Sequence, residues 1–107
     1  MEFNLDDVVV RHNEEARRFE ATVNGLRALL TYRLLPDRIV LPHTEVPPPL
    51  EGRGLAAKLT RAALDFARAH QLTVVPLCPY VADFLRKNTE YQDLVSPSDL
   101  QKILAPQ

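Results

Sequence analysis

A chain of 107 residues, 46% hydrophobic and 25% charged, fits one globular domain (1–107) with a single core and little chain left for a separate substrate lobe. Its formal charge of −1 gives no global electrostatic reason to bind nucleic acid or an anionic membrane, so an anionic ligand would need a local site. Met1–Asp7 lacks the basic and apolar regions of a secretory signal, no apolar run approaches the roughly 18 residues of a membrane span, and the lone Cys78 has no internal disulfide partner; a cytoplasmic protein is expected.

In chain order, Val8-Val9-Val10-Arg11-His12 and Arg17–Val23 read as strands, the second from the alternation of Phe19, Ala21 and Val23 with polar residues. Asn24-Gly25 is a hairpin signal, because both central residues of the favoured turn need positive φ, so Leu26–Leu34 is expected to return antiparallel. After the break at Leu35-Pro36-Asp37, Arg38–Val46 completes a meander of four strands, with Ile39, Leu41, His43 and Glu45 assigned to one face and Val40, Thr44 and Val46 to the other. Pro47-Pro48-Pro49 ends that strand.

The period then becomes helical from Gly54 to about His70, with Leu55, Leu59, Ala62, Ala63, Phe66 and Ala67 as its apolar stripe. Leu72–Cys78 reads as a strand reached by a crossover and therefore parallel to its neighbour. Pro79 opens a helix to about Lys87, an irregular stretch follows Asn88, and Ser96-Pro97 caps a last short helix to Leu104. The expected class is α/β with a mixed sheet: antiparallel meander, helix, parallel fifth strand and short helices.

Strand, proline break, glycine turn and long helix together make an anion site, since the first helical turn presents unpaired N–H groups and the positive dipole end. The turn is Glu51-Gly52-Arg53-Gly54-Leu55-Ala56. No Gly-Lys-Ser/Thr follows, against a nucleoside-triphosphate loop, and the third glycine of G-x-G-x-x-G is missing, against a dinucleotide fold. No metal site is expected.

Three blocks narrow the possibilities. His43-Thr44-Glu45-Val46-Pro47-Pro48, Leu50–Leu59 and Pro76-Leu77-Cys78-Pro79-Tyr80-Val81, in that order, resemble the small single-domain GNAT-like N-acetyltransferases of the YjdJ type over about Arg11 to Val95. The resemblance implies a minimal GNAT-like fold that transfers an acetyl group from acetyl-coenzyme A to an amine. The superfamily's pyrophosphate signature, Gln/Arg-x-x-Gly-x-Gly/Ala, here begins with Glu51, so the phosphate role goes to the amides of Gly52, Arg53, Gly54, Leu55 and Ala56 rather than to that side chain. The pantetheine arm is implied beside Glu45 and Val46, and Arg53, Lys58, Arg86 and Lys87 are candidate phosphate neutralisers.

For transfer, the resemblance brings Cys78 near the cofactor thiol, as an acceptor of the acetyl group or a neighbour of the substrate. His43 and Glu45, two residues apart on one strand, are candidate bases. Tyr80 would protonate the leaving thiolate, as tyrosine does in many GNAT enzymes. Only about Asn13 to Ala16 separates the first two strands, where larger relatives place two helices, so the acceptor side should be open to a protein, peptide or polyamine amine or to a partner subunit. Two other classes stay open at this point: a non-catalytic coenzyme A-binding module or accessory subunit, and an interaction domain whose glycine turn binds nothing.

Overall fold

The computed structural model describes residues 2–106. One five-stranded sheet runs in sequence order: β1 (Arg11–Asn13), β2 (Arg18–Val23), β3 (Leu26–Leu34), β4 (Arg38–Glu45) and β5 (Thr73–Val75). The first four pair antiparallel and β5 pairs parallel to β4, as the meander and crossover imply. Asn24 and Gly25 turn the β2–β3 hairpin with φ of 51° and 78°. Helix α1 (Leu55–Ala69) covers one sheet face, while α2 (Pro79–Lys87), a 3-10 segment (Thr89–Leu94) and α3 (Pro97–Leu104) pack beside it. Ser96 caps α3 by accepting from the Asp99 amide.

Four expectations need correction. Val8–Val10 is not strand, because β1 starts at Arg11; the preceding chain leaves the sheet to reach α1, where Lys58 Nζ donates to the Leu5 carbonyl at 2.6 Å. The last strand is only Thr73–Val75, since Pro76 has no N–H with which to continue the ladder. The buried stripe of α1 is Leu55, Leu59, Thr60, Ala63, Leu64 and Ala67, rotated away from the expected Ala62 and Phe66, which are half-buried. Thr60 is tolerated there because its hydroxyl donates to the Ala56 carbonyl at 2.8 Å.

The fourth concerns β4. Arg33 pairs with Val40 but Thr31 pairs with His43, so Leu41 and Pro42 together oppose Tyr32 in a β-bulge. The bulge reverses the alternation. Ile39 and Leu41 are fully buried against α1, whereas beyond it Thr44 and Val46 turn inward and His43 and Glu45 turn to the exposed face. The single face assigned to Ile39, Leu41, His43 and Glu45 is therefore split by the bulge at Pro42.

On the face opposite α1, Glu20 is 5% exposed and accepts from Arg18 Nε at 2.6 Å and Asn13 Nδ2 at 3.4 Å. The Arg18 hydrogen bond, against the opposing effect of burial, holds its carboxyl below the ordinary 4.5. A lowered folded-state pKa stabilises the protein above the unfolded value and loses that stabilisation as pH falls through the folded one. Urea unfolding at successive pH values should therefore show Glu20→Gln less stable than the parent near neutrality, with the difference shrinking below about pH 4.5. A difference independent of pH would show that this ion pair does not couple folding to protonation.

Candidate functional site

The loop from β4 to α1 is shaped by its own sequence. Pro48–Leu50 forms one 3-10 turn that buries Leu50, Glu51 is extended, and Gly52 and Gly54 adopt φ of 74° and 89°. Side chains rarely adopt that backbone, and a Cβ on Gly54 would also lie 2.9 Å from Leu5 Cδ2. Gly54 is the N-cap of α1, which has no side-chain cap and no acidic residue in its first turn. The positive helix end is thus left for a ligand.

A cavity of about 270 Å³ lies against that end. Val46, Leu50 and Leu55 contribute apolar lining, Gly52, Gly54 and Ala56 the loop and first helical turn, and Tyr80 comes from the start of α2. Partial desolvation, reinforced by the charge of Asp83, pushes the phenol of Tyr80, which is 38% exposed, above its ordinary 10.0, so it is protonated at neutral pH. Glu51 also borders the cavity and is exposed. Arg53 instead borders a neighbouring depression with Glu2, Phe3 and Asn4.

Of the other cations considered for phosphate, Lys58 is tethered to Leu5, while Arg86 and Lys87 pair with Asp83 and Arg86 also donates to the Ile103 carbonyl. Arg53 has no ion pair among the described residues. It is the phosphate candidate left free.

The sheet opens next to this cavity. β4 and β5 pair only through Arg38–Val40 and Thr73–Val75; Pro76 and Leu77 then turn away, and the last link is the Cys78 amide donating to the Leu41 carbonyl at 2.9 Å. From Pro42 to Glu45, β4 has no strand on that side. Cys78 sits at this gap, 5% exposed, with Sγ 3.3 Å from Thr44 Oγ1. His43 and Glu45 lie on the other face, both more than half exposed, with Nε2 and Oε1 3.9 Å apart.

The expected site residues therefore fall in four places: Val46, Gly52, Gly54, Leu55 and Ala56 at the cavity, Arg53 at the neighbouring depression, Cys78 at the gap, and His43 with Glu45 outside. Thr44 as the partner of Cys78, and the N-terminal segment packed against the glycine loop, were not read from the sequence. Pro42 within a strand was the available signal for the bulge that turns Thr44 inward.

Fold and site define a class of protein. Residues 18–94 match the model of the GCN5-related N-acetyltransferases, and the chain belongs to this family, whose members typically pair acetyl-coenzyme A with an amine acceptor. It is similar to Protein NATD1 of Bos taurus, 39% identical over 93 residues covering 82% of each chain, and to Protein NATD1 of Homo sapiens at 38% with the same coverage. Protein NATD1 of Danio rerio is 35% identical over 79% of this chain and 80% of its own. The fold matches the solution NMR structure of a GCN5-like candidate N-acetyltransferase from Staphylococcus aureus with a TM-score of 0.67 and 28% identity, covering 86% of this chain and 91% of that one.

Proposed function

We propose that the protein transfers an acetyl group directly from acetyl-coenzyme A to an amine that approaches from the open sheet face. The observation that carries this reading is the cavity at an uncapped, acid-free helix N-terminus, directly beside the gap between β4 and β5. Acetyl-coenzyme A, when bound, supplies the activated acyl carbon. The amides from Gly52 to Ala56 hold its pyrophosphate, Arg53 adds charge from the neighbouring depression, and Val46 with the unpaired edge of β4 guides the arm. Tyr80 holds a proton for the departing thiolate. His43 or Glu45 takes the proton lost by the amine. Thr44 and Cys78 form the wall of the gap.

Calorimetry with coenzyme A tests the binding half, and absence of saturable binding at about millimolar ligand would sink the proposal. Release of free coenzyme A across amines, peptides and arylamines tests turnover. The wide 3.9 Å His43–Glu45 contact favours a second reading, a coenzyme A-binding module without turnover. Binding without release to any acceptor would select it.

A further inference from the structure

The sheet face opposite α1 carries a charge pattern that the chain as a whole does not. Along β3, Ala28, Leu30 and Tyr32 are buried inward, while Arg27, Leu29, Thr31 and Arg33 point outward and none is buried. Register places Arg11, Arg18 and Arg38 on the same outward face, so five arginines meet two glutamates there in a chain of net charge −1. Glu20 is already engaged by Arg18 and Arg11, and Arg38 by Asp37. Arg27 and Arg33 have no ion pair among the described residues.

Their position matters as much as their charge. His43 pairs with Thr31, two residues from Arg33, and Glu45 pairs with Leu29, two residues from Arg27. Diagonal neighbours in a sheet lie about 7–8 Å apart, within reach of arginine side chains. By register, the two proton acceptors of the proposed reaction thus share the outward face with Arg33 and with Arg27, whose charge also acts on Glu20.

We propose that this face docks an acidic polypeptide segment, held by Arg27 and Arg33 with its amine presented at His43 and Glu45. The identification of the segment as the acceptor rests on the acyltransferase reading above; the docking does not. A polypeptide fits better than a nucleic acid. The sequence pI is about 6.3, and His43 is the one ring among the described outward residues of the sheet, with no Phe, Tyr or Trp beside it to build a base-stacking platform. The half-buried Leu29 and Val40 add apolar contact.

The test is fluorescence anisotropy with a peptide of about ten residues, rich in Asp and Glu around one lysine and labelled at its C-terminus, titrated with the intact chain without coenzyme A. Saturable binding is expected, weakening about tenfold or more both in Arg27→Gln/Arg33→Gln and on raising salt from about 50 to 500 mM. Lys102→Gln should bind as the parent does. No binding by the parent, or equal binding by the double variant, overturns the proposal. So does a basic peptide that binds equally well, or a short oligothymidylate that binds more tightly. Coenzyme A calorimetry on the same samples separates the two readings: peptide binding with no coenzyme A binding removes the acyltransferase assignment and leaves the docking face, whereas the reverse removes the docking face alone.

Discussion

Gly54→Ala is expected to lower Tm by roughly 5 to 15 °C and to weaken coenzyme A binding about tenfold or more. Two physical terms combine at this position. An L side chain at φ of 89° costs about 1–2 kcal/mol, and the new methyl would meet Leu5 Cδ2 at 2.9 Å while bordering the cavity at the helix end. The terms are separable, because Leu5 is the end of a flexible side chain that can be shortened. Leu5→Ala in the Gly54→Ala background should recover part of the Tm loss and leave the backbone part. Gly52→Ala provides the counterpart, since φ of 74° is strained but no atom lies within 4 Å of its Cβ. Thermal melts and coenzyme A titrations of the parent and these three variants measure both terms. A Gly54→Ala protein that melts and binds like the parent would show that the loop relaxes freely and is not a preformed cradle.

What was legible in the sequence had a local physical cause. Asn24-Gly25 dictates the hairpin, the glycine turn before a 3.6-residue period dictates the start of α1, and Pro79 and Ser96-Pro97 mark the starts of α2 and α3. The elements bordering the cavity followed from those signals. What was not legible depends on contacts between distant parts of the chain. Val8–Val10 has strand composition, yet the chain leading into it is tied to α1 through Lys58 and the Leu5 carbonyl, and pairing in the sheet begins only at Arg11. Thr60 enters the core only because a carbonyl four residues back accepts its hydroxyl, which lets the buried stripe rotate toward Leu64. The bulge at Leu41-Pro42 is the costliest omission for the site, because one extra residue exchanges the faces of His43 and Thr44. Simple alternation puts His43 with the core and Thr44 outside; the structure does the reverse.

That exchange separates the two chemical routes, and mutagenesis should show it. Replacing both candidate bases, in His43→Ala/Glu45→Gln, is expected to lower kcat/KM about hundredfold, the lower end of what a positioned acid or base contributes, while Cys78→Ala stays within about tenfold of the parent. A thiol nucleophile needs solvent or substrate access and a group that removes its proton. Cys78 is 5% exposed, and the partner within hydrogen-bond reach of its Sγ is the Thr44 hydroxyl, which is not a base near neutral pH. His43 and Glu45 are open to solvent on the face an incoming amine would reach. Intact-mass analysis after mixing with acetyl-coenzyme A should then show no acetyl adduct on the parent. A transient adduct that disappears in Cys78→Ser, together with His43→Ala/Glu45→Gln retaining full activity, would transfer the chemistry to the buried thiol. Thr44→Val completes the comparison: direct transfer leaves it close to Cys78→Ala, because both variants alter only the packing of the gap wall, whereas a covalent route makes Cys78→Ala far more damaging than Thr44→Val.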